Sequence, residues 1–159
     1  MKGWRKYPVI YEINTWVWLS ELSRTYGKPV TLATVPDQQW DALATHGFDA
    51  VWFMGVWERS PAGIAISMKN EGLLTDFRRA LPDFSPQDNV GSPYCVRRYV
   101  VDQHLGGPEG LAAARKQLAK RGLRLILDFV PNHVAPDHPW VTEHPDYFKD
   151  PELKKKFGT

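Results

Sequence analysis

A helix closed by glycine and followed at once by an apolar strand occurs twice in this chain, as ALATHGFDAVWF (42–53) and QLAKRGLRLILDF (117–129). Few folds accommodate that repeat. In the first copy Pro36 suits a helix's first turn, Trp40, Leu43 and Ala44 recur at helical spacing, and Gly47 is a natural stop. In the second, Pro108 opens the helix, Leu111, Ala114 and Leu118 share a face, Lys120 and Arg121 suit the C-terminal dipole, and Gly122 ends it. The strand Val9–Trp16 precedes both, with Val9, Tyr11 and Ile13 on one face. Ala50–Val56 is a continuous apolar run of the kind buried on both sides, as parallel strands are. Strand, helix, strand, helix, strand is the order of right-handed βαβ winding around a parallel sheet.

A long insertion, residues 57–105, separates the second strand from the second helix. Within it, Leu73, Leu74, Phe77 and Leu81 fall on one side of a helix expected over 70–81. Loops of this length are functional or disordered, and the aromatic and proline content favours an ordered, working loop. The third strand is expected over Arg124–Val130. Three strands fall short of the eight, and the roughly 250 residues, of a closed (β/α)8 barrel. The chain therefore reads as a smaller open α/β sheet or as the first part of a larger barrel.

Composition narrows the class. With 43% apolar and 24% charged residues, the 159-residue chain has the make-up of a soluble globular domain rather than a disordered one. A net charge of +2 with dispersed basic residues shows no nucleic-acid stripe, and Lys154–Lys156 read as a solvated end. One cysteine, Cys95, excludes an internal disulfide. No stretch has the length of a membrane span, and MKGWRKYPVIYEIN has no leader-type apolar segment, so cytoplasmic location is the expectation.

The chemistry concentrates in LRLILDFVPNH (123–133). An apolar strand runs into one carboxylate, Asp128, and a proline turn then carries Asn132 and His133. Burying an unpaired charge costs on the order of several kcal/mol, so Asp128 is either well paired or part of a site. Alternation puts Arg124, Ile126 and Asp128 on one face and Leu125, Leu127 and Phe129 on a uniformly apolar face expected to pack on helices. The plainer reading of Asp128 is a turn cap that accepts from backbone N–H groups. In α/β barrels, however, the C-terminal ends of strands are where reactive groups are placed. A second stretch, GSPYCVRRYVVD (91–102), is a Gly/Pro loop leading into a short β-like alternation.

Taken together and in this order, these stretches resemble the alpha-amylase superfamily, glycoside hydrolase family 13. DFVPNH (128–133) is similar to its first signature after the third barrel strand, and Tyr94–Asp102 resembles the preceding family stretch. The opening strand, the Gly47-Phe48 turn and His138-Pro139-Trp140 also fit. The resemblance implies that residues 1–159 form the N-terminal portion of a (β/α)8 catalytic domain: its first three βα units, with a long loop after the second strand, in an incomplete barrel. It further implies that Tyr94 stacks on the sugar beside the scissile bond, that His133 hydrogen-bonds that sugar, and that Asp128 organises the floor of the site. Asn132 matches a calcium ligand in many relatives, although the other ligands are not evident, and no organic cofactor is required. Cys95 and Arg97-Arg98 depart from the commoner form of the Tyr94 stretch.

Retaining glycoside hydrolysis needs two carboxyls about 5–5.5 Å apart, which in this family come from the fourth and fifth strands. After Asp128 the remaining acids are Asp137, Glu143, Asp146, Asp150 and Glu152, and none ends an apolar strand. The expectation is thus a fragment of a retaining glycosidase or transglycosidase of alpha-linked glucans or glucosides, which supplies substrate-binding groups without the catalytic carboxylates. Its partner is an oligosaccharide or glucoside, with self-association through exposed sheet edges. The alternative is a non-catalytic carbohydrate-binding module derived from the same fold. A third reading, a metal-dependent hydrolase using His133, Asp137, His138 and His144, lacks HExxH or comparable ligand spacing.

Overall fold

The computed structural model describes residues 3–148 and divides the chain into two compact units, Met1–Glu58 with Tyr99–Phe129, and Arg59–Arg98 with Val130–Thr159.

The first unit holds a parallel three-stranded sheet in the order β1 (Ile10–Asn14), β2 (Ala50–Met54), β5 (Arg124–Leu127). Tyr11 faces Val51, which faces Leu125, and Ile13, Phe53 and Leu127 form the next row. These rows carry the apolar side of the sheet. Val51 and Phe53 are fully buried, and Leu125 and Leu127 pack against the same core.

Helices cover that side. α1 (Thr15–Tyr26) starts where the Asn14 side chain accepts from the Val17 N–H, and contributes Leu19 and Leu22 to the core. α2 (Asp37–Thr45) begins after Pro36 and buries Trp40, whose indole donates to the Val35 carbonyl at 3.2 Å. α5 (Gly107–Lys120) buries Ala114 and Leu118 completely. Gly110 lets this helix approach closely, since a Cβ there would lie 3.2 Å from the Leu105 carbonyl oxygen.

Two expectations are corrected here. The first strand stops at Asn14, because that residue caps α1, which the sequence reading had absorbed into the strand. Phe129 is 76% exposed rather than packed on helices, because β5 ends at Leu127 and strand parity no longer governs its direction. In this unit Phe129 lies 5.9 Å from Tyr99, which lies 5.2 Å from Trp57.

The insertion is ordered, as expected. β3 (Trp57–Arg59) and β4 (Val96–Val101) form a two-stranded sheet. The second unit contains α3 (Pro61–Ser67), α4 (Glu71–Ala80) and the short α6 (Trp140–Glu143). Ser60 caps α3 by accepting from Gly63 N–H, and Asn70 caps α4 by accepting from Leu73 N–H. The helix expected over 70–81 is therefore present as α4 with Asn70 and Leu81 as its caps.

Candidate functional site

In the first unit, two aspartates hold opposite ends of the sheet. At the start of the strands, Asp49 Oδ2 accepts from Val9 N–H at 2.8 Å and its backbone N–H donates to the Val9 carbonyl at 2.8 Å. Its carbonyl accepts from Arg124 N–H at 3.1 Å, and Oδ1 pairs with Arg5 at 3.0 Å. Asp128 sits at the other end, just beyond β5, and is 7% exposed. Its Oδ1 accepts from the Trp52 indole at 2.8 Å, and its Oδ2 accepts a short hydrogen bond from Gly55 N–H. Its own carbonyl accepts from the Trp57 indole at 2.9 Å. Gly55 makes this possible with φ of 78°, a region open mainly to glycine. The buried carboxylate is thus well paired, as its burial demands, and one partner is the backbone donor that the plainer reading anticipated.

In the second unit, the turn Ser92–Cys95 carries Tyr94. Cys95 N–H donates to the Ser92 carbonyl and Tyr94 N–H to the Ser92 hydroxyl, each at 3.2 Å. His133 Nε2 lies 3.1 Å from the Tyr94 carbonyl oxygen. A carbonyl only accepts, so Nε2 carries the proton. Nδ1, 3.2 Å from Asn132 Nδ2, then accepts from that amide. Tyr94 and His133, 39 positions apart, are brought together, and both are exposed to solvent. The imidazole fixes the backbone under the tyrosine rather than its ring.

Asp137, weighed from sequence only as a remaining acid and a metal ligand, organises the same unit. It accepts from the Ser60 hydroxyl at 2.6 Å and Ala62 N–H at 3.2 Å, with Arg97 at 3.7 Å. Burial pushes its carboxyl up. The Ser60 hydroxyl, the Ala62 N–H, its own backbone N–H and the Arg97 charge together outweigh that and hold it below its ordinary value. No sequence signal pairs positions 60 and 137.

Among the described residues no three His, Cys, Asp or Glu side chains gather to hold an ion; Asn132, whose amide lies beside His133 Nδ1, is not one of those residue types. The same finding leaves the His133, Asp137, His138 and His144 reading without a metal cluster. Glu143 lies in α6 and Asp146 in a 3-10 turn, Pro145–Phe148. Asp150 and Glu152 lie outside the described residues. No helix among the described residues is long and apolar enough to cross a membrane.

The profile of the alpha amylase catalytic domain matches residues 38–157, three quarters of the chain and the whole of the Asp128–His133 segment. This chain belongs to the alpha-amylase family. The alpha-1,4-glucan:maltose-1-phosphate maltosyltransferase of Pseudomonas aeruginosa is 28% identical over 156 residues, covering 91% of this chain and 21% of the enzyme. The oligo-1,6-glucosidase of Heyndrickxia coagulans is 26% identical over 145 residues, covering 90% and 20%. The chain therefore spans about a fifth of the length of these relatives. Among solved structures, an alpha-amylase from Lactobacillus plantarum superposes with a TM-score of 0.58 at 18% identity, over 88% of this chain and 26% of that one. The alpha-amylase of Geobacillus thermoleovorans, solved with acarbose, gives 0.52 at 24% identity over 88% and 26%. These superpositions place the α/β fold of this alpha-amylase-family chain among alpha-amylase barrels.

Proposed function

We propose that this chain forms the first three βα units of an alpha-amylase-family barrel and contributes substrate contacts, not catalytic carboxylates, to a retaining glycosidase or transglycosidase of alpha-linked glucans. The observation that carries this reading is Asp128, a buried carboxylate held by Trp52 and Gly55 at the C-terminal end of a parallel strand, within the segment that matches the family. The maltosyltransferase and oligo-1,6-glucosidase relatives support an alpha-glucoside substrate.

In this reading Tyr94 offers its ring as an apolar platform to a sugar face. His133 serves twice, bracing the Tyr94 carbonyl and presenting a polar edge to sugar hydroxyls. Asp128 positions the floor through Trp52 rather than attacking the substrate. Double displacement proceeds through a covalent glycosyl-enzyme, with one carboxyl as nucleophile and another as acid then base. Neither of those two carboxyls is assigned to this chain.

The test pairs the 159-residue chain with its full reading frame. The 159-residue chain is expected to release no reducing sugar from maltoheptaose, whereas the product of the longer frame hydrolyses or transfers it. Robust hydrolysis by the chain alone refutes the proposal. A frame that ends at Thr159, with an inactive product that binds maltoheptaose tightly, replaces it with the carbohydrate-binding-module reading.

A further inference from the structure

Within the second unit, α3, α4 and the segment 81–95 line a cavity of about 710 Å3 that is open to solvent, in the range of small-molecule sites. Its hydrocarbon wall is built by Ile66, Leu73, Phe77, Leu81, Phe84 and Val90. The polar side chains in the wall are engaged with the protein itself. Ser67 Oγ donates to the Ile64 carbonyl and accepts from Asn89 Nδ2, each at 2.8 Å, while Asn89 Oδ1 accepts from Gly91 N–H at 3.1 Å. Ser60 is held by Asp137 and Gly63. A sugar, which needs several polar partners, is poorly matched to such a wall.

Charge narrows the occupant further. Asp88, exposed to solvent, lines the cavity, and among the described residues no lysine, arginine or histidine does. Its Oδ2 accepts from Ser85 N–H at 2.7 Å and from the Ser85 hydroxyl at 2.8 Å. Those two bonds keep the carboxyl below its ordinary value against a lesser upward push from desolvation, so it is anionic at neutral pH.

We propose that this cavity is a binding site for a small apolar molecule carrying one positive charge, its hydrocarbon body among Phe77, Leu81 and Phe84 and its cationic end at Asp88. The site is separate in chemistry from the Tyr94–His133 sugar contacts and stands whether or not the glycosidase reading holds.

The test titrates the 159-residue chain at neutral pH with naphthalen-1-ylmethylammonium and with 1-naphthoate, following probe fluorescence. The ammonium is expected to bind saturably and one-to-one, and the naphthoate at least about tenfold more weakly. Asp88→Asn is expected to abolish that preference while leaving the binding of uncharged 1-methylnaphthalene unchanged. Cys95 lines the same cavity and is the sole cysteine, so saturating ammonium should slow its alkylation by iodoacetamide several-fold. That protection is measured on the unmutated chain and decides the matter even if the Asp88 variant fails to fold. Equal affinity for the two ions, unsaturable binding or unprotected Cys95 overturns the proposal. Alkylation that slows with protein concentration in the absence of ligand also overturns it, in favour of a second copy of the chain as occupant.

Discussion

The Trp52 indole donates to the Asp128 carboxylate across 2.8 Å, tying the middle of β2 to the residue that follows β5. Both partners are polar groups withdrawn from bulk water, so the contact is more costly to break than its net strength suggests. Asp128→Ala leaves the Trp52 and Gly55 N–H groups without their acceptor and should destabilise the first unit by about 2–4 kcal/mol. Asp128→Asn keeps one acceptor and should cost less. Urea unfolding followed by tryptophan fluorescence checks both; a lowered midpoint with an unchanged slope is the expected form.

Gly63, inside α3, lies where a Cβ would meet Cys95 Sγ at 2.8 Å and Ser60 Oγ at 3.2 Å. Alanine ordinarily gains about 1 kcal/mol over glycine in a helix interior. Here the clash should reverse the sign, giving a net loss of about 1 kcal/mol. Introducing Cys95→Ala into the same chain should recover most of it, and a double-mutant cycle measures that recovery.

Asp137 gives the second unit an acid-sensitive joint. Its folded-state carboxyl lies below the ordinary value of 3.8, despite burial, through Ser60, Ala62, its own backbone N–H and Arg97. The stabilisation is therefore complete above that value and is lost as pH falls through the lower folded one. Stability measured against pH should show Asp137→Asn weaker than the unmutated chain near neutrality, with the gap closing under acid conditions.

β1 and β5 are the outer strands of the three-stranded sheet. Open strand edges template pairing with other chains. The weight-average mass of the 159-residue chain in sedimentation equilibrium should rise with concentration, and Ile10→Lys on exposed β1 should lower it. A concentration-independent monomer contradicts this expectation.

In the full reading frame's product, Tyr94→Ala should raise KM for maltooligosaccharides by about tenfold or more, and Tyr94→Phe should stay near the unmutated value. His133→Ala should lower kcat/KM further than the loss of one sugar hydrogen bond, because the Tyr94 carbonyl also loses its brace. Steady-state kinetics on the three variants separates the platform from its support.

Much of the sheet was legible because helical and extended periodicities change sharply at Gly47 and Gly122. Residues 50–54 and 124–127 are strands as expected, and 71–80 is the expected helix. The start of α1 was hidden because Thr15 and Trp16 read as a continuing strand, while the stop signal was a single asparagine side chain turned onto the next helix. Phe129 was misjudged because alternation was carried two residues past the point where the strand ended. Asp128 stood out as one acid after an apolar run. Its partners, 73 and 76 positions away, left no pattern in sequence. Asp49 was overlooked, and the structural role of Asp137 missed, for the same reason: each fastens segments distant along the chain, and a lone aspartate in a turn looks like any other.

Parallel strands as uniformly apolar as Ala50–Met54 carry little information about which residue should face which neighbour, since a one-step slide exchanges one greasy side chain for another. Asp49 and Asp128 resolve that degeneracy from opposite ends. Slippage of β1 against β2 surrenders the Asp49 contact and slippage of β5 against β2 surrenders those of Asp128, so each pairing is held in place by its own carboxylate even where packing alone would let it drift.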